Sequence, residues 1–140
     1  MNKKWVVIPH TADYAVQVHG RDFPELASNC ITALKESMYQ LTDISRSSLS
    51  RKSLKIHSLD QNSLLIDLLR EIHYLIISEK IIPISCNFSD WSEKNLKIYC
   101  FFRKIEAADV KIREIKAVTY HDAIILKEPR GLSIRIVCDV

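Results

Sequence analysis

Glycine is scarce, with only Gly20 and Gly131 among 140 residues. A P-loop and a dinucleotide fingerprint each need a glycine cluster at a strand-to-helix turn, so two isolated glycines exclude nucleotide binding by either fold. No G-x-S-x-G nucleophile elbow occurs. The four cysteines Cys30, Cys86, Cys100 and Cys138 lie far apart, without a C-x-x-C pair and without a histidine nearby in sequence. That spacing excludes a zinc ribbon and a dithiol redox motif, and because three of the four sit in apolar runs, buried free thiols are expected. Long apolar runs are also missing. After the basic start Met1-Asn2-Lys3-Lys4, the stretch Trp5-Val6-Val7-Ile8 stops at Pro9. It is too short for a signal-peptide core or a membrane span, so a cytoplasmic protein without a membrane partner is expected.

Charge of one sign is lacking as well. Twenty basic and 17 acidic side chains give a net charge of +3, scattered along the chain without a like-charged block. Direct RNA binding therefore has no electrostatic footprint in the sequence. With 47% hydrophobic residues in 140 positions, the chain suits one domain over residues 1–140 and is too short for two sizeable cores.

What is present is a change of period along the chain. Tyr14, Val16 and Val18 alternate with smaller or polar residues, which predicts a half-buried strand ended by Gly20. Asp22-Phe23-Pro24-Glu25 supplies an N-cap, a first-turn proline and a carboxylate at N3. Leu26, Cys30, Ala33, Leu34 and Met38 then recur at helical spacing, so a first helix is predicted. The Ser-rich stretch 45–53 reads as a loop and 54–57 as a short strand. A second helix is predicted from about Ser63, with Leu65, Leu68, Leu69, Ile72, Leu75 and Ile76 as its core stripe. Further strands are expected over 96–103, 115–121 followed by 123–126, and 132–138 beyond a Pro129-Arg130-Gly131 turn. Two helices among about seven mostly antiparallel strands imply an α+β sandwich with both helices packed on one sheet face.

Three polar clusters could carry chemistry: His10-Thr11-Ala12-Asp13, the segment from Lys116 to Asp122, and Asp139 near the end. A histidine, a hydroxyl and a carboxylate after Pro9 could line a site on a rigid strand start, or simply satisfy turn backbone groups. In a regular strand Lys116, Val118 and Tyr120 share one face and Ala117, Thr119 and His121 the other. Lys116 is then either a solvent-facing sheet lysine or a cation placed beside carboxylates. Asp139 and Val140 concentrate a carboxylate, a main-chain carbonyl and the terminal carboxylate. Hard cations such as Ca²⁺ or Mg²⁺ need such oxygen ligands, and Asp13 could add another if the two strands pair. On the second helix Asp67, Arg70, Glu71 and Tyr74 fall on one polar arc, which a solvated face explains.

Four segments in order resemble the archease family. They are His10-Thr11-Ala12-Asp13; Leu64-Leu65-Ile66-Asp67-Leu68-Leu69 with Glu71 and Tyr74-Leu75; Ile115-Lys116-Ala117-Val118-Thr119-Tyr120-His121; and the closing segment 135–140. Two positions depart from the family pattern: Ala15 stands where a glycine is usual, and Cys138 where an aromatic residue usually precedes the last aspartate.

The resemblance implies an accessory protein, not itself a catalyst, for an RtcB-type ligase in tRNA splicing and RNA repair. That ligase joins a 2′,3′-cyclic phosphate or 3′-phosphate end to a 5′-hydroxyl with GTP and divalent metal. The accessory protein promotes the ligase's histidine-guanylate intermediate and multiple turnover, meeting RNA only indirectly through the ligase. Carried over, Asp13, Asp139 and an oxygen of Val140 would hold a divalent metal, Ca²⁺ ahead of Mg²⁺ or Mn²⁺. Lys116 would be the essential basic residue, and His10, Asp67 and His121 would orient that group or brace the fold. Two other readings of the same residues are a metal-dependent phosphoesterase and an RNA-binding, chaperone-like module. Nothing in the sequence specifies an oligomeric state.

Overall fold

The computed structural model describes residues 4–8, 13–42 and 48–140. His10, with the Thr11 and Ala12 that follow it, lies outside the described residues.

Strands β1 (Trp5–Ile8) and β2 (Tyr14–Gly20) lead into helix α1 (Phe23–Met38), and the two-residue strand β3 (Tyr39–Gln40) follows. Strand β4 (Ser50–His57), helix α2 (Gln61–Ser78), and strands β5 (Ile81–Trp91) and β6 (Asn95–Lys104) come next. The chain ends with β7 (Val110–Lys111), β8 (Ala117–Val118), β9 (Leu126–Glu128) and β10 (Gly131–Asp139). One sheet runs β1-β2-β10-β8, with β9 also paired to β10, and a second runs β4-β6-β5. The short β3 and β7 pair with each other, and every pairing among the described residues is antiparallel. Both helices contact strands of both larger sheets, so the α+β class holds with the helices wedged between two sheets.

The helix starts follow from capping. The Asp22 carboxylate accepts from Glu25 N at 2.9 Å, and Glu25 in turn accepts from Arg21 N at 3.1 Å. Asp60 caps α2 by accepting from Ser63 N at 2.8 Å, which moves the start to Gln61, two residues before the position the apolar pattern indicated. Every residue of the expected α2 stripe is buried.

Three expectations are corrected. Strand β5 went unforeseen, because Pro83 and two register shifts, between Pro83 and Ser85 and between Phe88 and Asp90, break the alternation that marks a strand. The 115–121 segment is ladder-paired only at Ala117–Val118, and 123–126 is not a strand of its own; Asp122, at φ 56°, turns the chain away. Two of the four cysteines are not free thiols: Cys86 and Cys100 are directly opposed across β5 and β6, 4.1 Å apart at Cα, and form a disulfide. Cys30 and Cys138 remain free and buried.

The two glycines meet at one corner. Gly131 has φ +141°, and a Cβ there would stand 2.2 Å from the Gly20 carbonyl oxygen; a Cβ on Gly20 would stand 2.3 Å from Leu26 N. Only hydrogen at both positions lets the β9–β10 hairpin close onto the junction of β2 and α1. No helix among the described residues is long and apolar enough to cross a membrane.

Candidate functional site

Register brings the two ends of the chain together. The β2–β10 ladder runs to Tyr14 opposite Cys138, so Asp13, at a bend, and Asp139 are the residues next beyond its last pair. On the other side of β10, Asp139 is opposite Ala117, and one further step sets Val140 beside Lys116. The Lys116 amide donates to the Asp139 carbonyl at 2.8 Å. Asp13, Lys116, Asp139 and Val140 thus collect at one end of three neighbouring strands, spaced roughly 4.8 Å apart. Residues opposed in an antiparallel pair point to the same side, so Ala117 shares the face of Asp139 and Lys116 is one step out of phase with it. Ala15 is fully buried in the extended β2 ladder, opposite Val137, so the position needs no left-handed backbone, and the chain bends at Asp13 just before the strand begins.

Among the described residues the candidate donors at this end are oxygens: two carboxylates and main-chain carbonyls. Burial, and after it the neighbouring Asp139 charge, pushes the Cys138 thiol up to about 12, so no thiolate joins them at neutral pH. Among the described residues no group of three His, Cys, Asp or Glu side chains converges. Such a set fits a hard cation, which accepts 6–8 oxygens, about half of them left to water or a partner's groups.

Lys116 is exposed, but the backbone around it is held from α2. His73 Nε2 donates to the Ile115 carbonyl at 2.7 Å, and Arg70 Nη1 donates to the Val118 carbonyl at 3.2 Å. Arg70 also lies over the Tyr120 ring, 5.2 Å from its centroid. The Tyr120 hydroxyl and the Ser58 hydroxyl both donate to the Asp67 carboxylate. That hydrogen bond, then burial, then the Asp67 charge raise the Tyr120 phenol above its ordinary value. Asp67 and Arg70 are therefore not a merely solvated arc. They fasten the 115–120 segment to the second helix, and so position Lys116 through its backbone.

His121 is elsewhere. It lies on the turn that leaves the sheet, its amide donating to Thr119 Oγ1 at 3.2 Å and its ring 3.7 Å from the Asp122 carboxylate. Since Thr119 N bonds Val137 O, the chain at 119–121 is already receding from Asp139. Sequence reasoning did not assign roles to Ser58, His73 and Tyr120, because their partners are 9, 42 and 53 residues away. Only the quoted motif around Tyr120 carried a signal.

Comparison with known proteins points one way. The model of the archease protein family matches residues 5–140. A protein archease of Methanosarcina barkeri is 29% identical over 143 aligned residues, covering 99% of this chain and 97% of that protein. An archease-like protein of Dictyostelium discoideum is 25% identical over 142, covering 99% and 94%. The solution structure of protein 1598 of Methanobacterium thermoautotrophicum superposes with a TM-score of 0.73 at 26% identity, covering 98% of this chain and 99% of that one. The crystal structure of a Thermotoga maritima protein, described as an archease and possible chaperone, gives 0.67 at 25% identity, covering 100% and 98%. With a matching α+β architecture and the family model spanning nearly its whole length, the chain belongs to the archease family.

Proposed function

We propose that this protein is an accessory factor for an RtcB-type RNA ligase, raising guanylylation of the ligase and its turnover without catalysing the ligation itself. The observation that carries the reading is the gathering of Asp13, Asp139, a main-chain oxygen of Val140 and Lys116 at one strand end. Asp13, Asp139 and the Val140 oxygen would hold a divalent cation, Ca²⁺ before Mg²⁺ or Mn²⁺, which when bound supplies positive charge against nucleotide phosphates. Lys116 adds a second, protein-borne cation on a backbone pinned on both sides, so its ammonium is presented from a rigid mount. Among the described residues no nucleophile-and-base pair accompanies these groups, which favours an activator over a phosphoesterase. In this scheme the chemistry on RNA belongs to the ligase.

The test is guanylylation of the purified cognate ligase with GTP and Mn²⁺, with wild-type protein or Asp139→Ala added. Stimulation by the wild type and its loss in the folded variant is expected. Metal-dependent phosphate release by the protein alone, with no effect on the ligase, would replace the reading with the phosphoesterase.

A further inference from the structure

The outer face of the β4-β6-β5 sheet has no role in the reading above. Leu54, Ile98, Cys100 and Phe102 point inward and are buried. The alternate residues point to solvent, and the register sets Arg51 opposite Phe101, Ser53 opposite Tyr99 and Lys55 opposite Lys97. Two partly exposed aromatic rings therefore lie in line on one strand, with Arg51 and Lys55 on the β4 side, Lys97 at one end of the row, and Ser85 and Asn87 on the β5 side. Tyr99 and Phe101 meet edge to face, 6.4 Å between centroids, and the Arg51 guanidinium lies 4.2 Å over the Tyr99 ring.

Lys55 and Lys97 are the informative pair. Like charges directly opposed across an antiparallel ladder destabilise it. Here the two ammonium groups share one face, and among the described residues no carboxylate stands within ion-pairing distance of Arg51, Lys55 or Lys97. Asp90 is opposite Lys97 on the far strand but falls outside that range. The same lysines line a depression of about 180 Å³ with His57, Asp90 and Asn95. A surface on which Arg51, Lys55 and Lys97 outnumber the nearby Asp90 carboxylate, beside flat rings, complements a ligand with both negative charge and exposed π-faces.

We propose that this sheet face binds a single-stranded RNA segment, its bases stacking on Tyr99 and Phe101 and its phosphates lying against Arg51, Lys55 and Lys97. A duplex hides its base faces and cannot use the rings, whereas a splayed single strand uses both features. The inference does not depend on the ligase reading, because it concerns the isolated protein.

Fluorescence anisotropy of a short labelled oligoadenylate, titrated with the protein alone, tests it. Binding should weaken with salt, with a log–log slope of about −2 for three phosphates at roughly 0.7 each. Tyr99→Ala should weaken it about tenfold while Tyr99→Phe keeps it, since the ring supplies the contact. Arg51→Glu combined with Lys97→Glu changes two side chains on the solvent side of the sheet, and should abolish binding. That variant carries the test if Tyr99→Ala fails to fold. Absence of binding by the wild type, equal competition by duplex RNA, or unchanged affinity in the folded charge-reversed protein would each overturn the proposal. If charge reversal left RNA affinity intact but removed stimulation of a ligase, the face would be a protein contact and the RNA assignment would be wrong.

Discussion

Arg103 and Asp109, six residues apart, form a two-pronged ion pair with both side chains fully buried: Nη1 to Oδ2 at 2.8 Å and Nη2 to Oδ1 at 2.9 Å. The same carboxylate accepts from Thr42 N at 2.9 Å, Thr42 Oγ1 at 3.0 Å and Glu106 N at 2.7 Å. One side chain therefore ties the segment after β3 to the loop after β6. Removing one member of such a pair strands the other charge in the interior, at a cost of about 3–5 kcal/mol. Asp109→Ala should lower the urea midpoint accordingly, and a loss below about 1 kcal/mol, typical of a solvent-screened pair, would contradict this account.

The same residue sets an acid limit. The Arg103 guanidinium first, then the Glu106 and Thr42 donors, hold the Asp109 carboxyl well below its ordinary value, against the opposing effect of burial. A folded-state value below the unfolded one, about 3.9, means that the native state binds fewer protons than the unfolded chain in that range. The stabilisation is thus fully present above the unfolded value and is lost as pH falls toward the depressed folded value. Thermal melts between roughly pH 6 and pH 2 should show a steeper acid decline for the wild type than for Asp109→Asn. Parallel curves would exclude Asp109 as the source.

Asp67 should reveal itself through Tyr120. Ultraviolet titration ought to find one tyrosine ionising above the usual range, and Asp67→Asn should bring it down, because the neutral amide removes both the charge and the strongest acceptor. Hydrogen exchange at the Thr119 amide, which bonds Val137 O, should also speed up if Tyr120 anchors the segment. No change in either measurement would leave Asp67 as a helix-surface residue and nothing more.

Removing metal offers a separate check of the strand-end carboxylates. A ligand that binds only the folded state raises stability by RT ln(1 + [L]/Kd), about 2.7 kcal/mol at a hundredfold excess over Kd. Ca²⁺ should therefore raise the melting temperature, a chelator should reverse the rise, and Asp13→Asn with Asp139→Asn should eliminate it. A Ca²⁺ response retained in that double variant would place the cation elsewhere.

Much of this was legible before the structure. The α1 cap at Asp22 and the α2 stripe follow from local rules, since capping and helical period act within four residues. The closeness of Asp13 to Asp139 was a conditional reading, dependent on pairing of the first long strand with the last, and the ladder supplies that pairing up to Tyr14 opposite Cys138. Strand β5 was hidden because bulges and Pro83 disturb the two-residue period. The Cys86–Cys100 disulfide was hidden because separation in sequence says nothing about which residues oppose each other across a ladder.

The amino-acid sequence alone determined the α+β class, both helices and the motifs of the family, because these rest on short-range periodicity and ordered segments. Tertiary structure alone decided that Asp67 holds Tyr120 rather than water, and that Arg103 and Asp109 form a sealed pair. It also set Lys55 against Lys97 beside two aromatic rings, in a chain whose linear charge distribution shows no basic tract. Register across a sheet joins residues tens of positions apart, and that long-range pairing, unlike a helical repeat, leaves no period in the sequence to read.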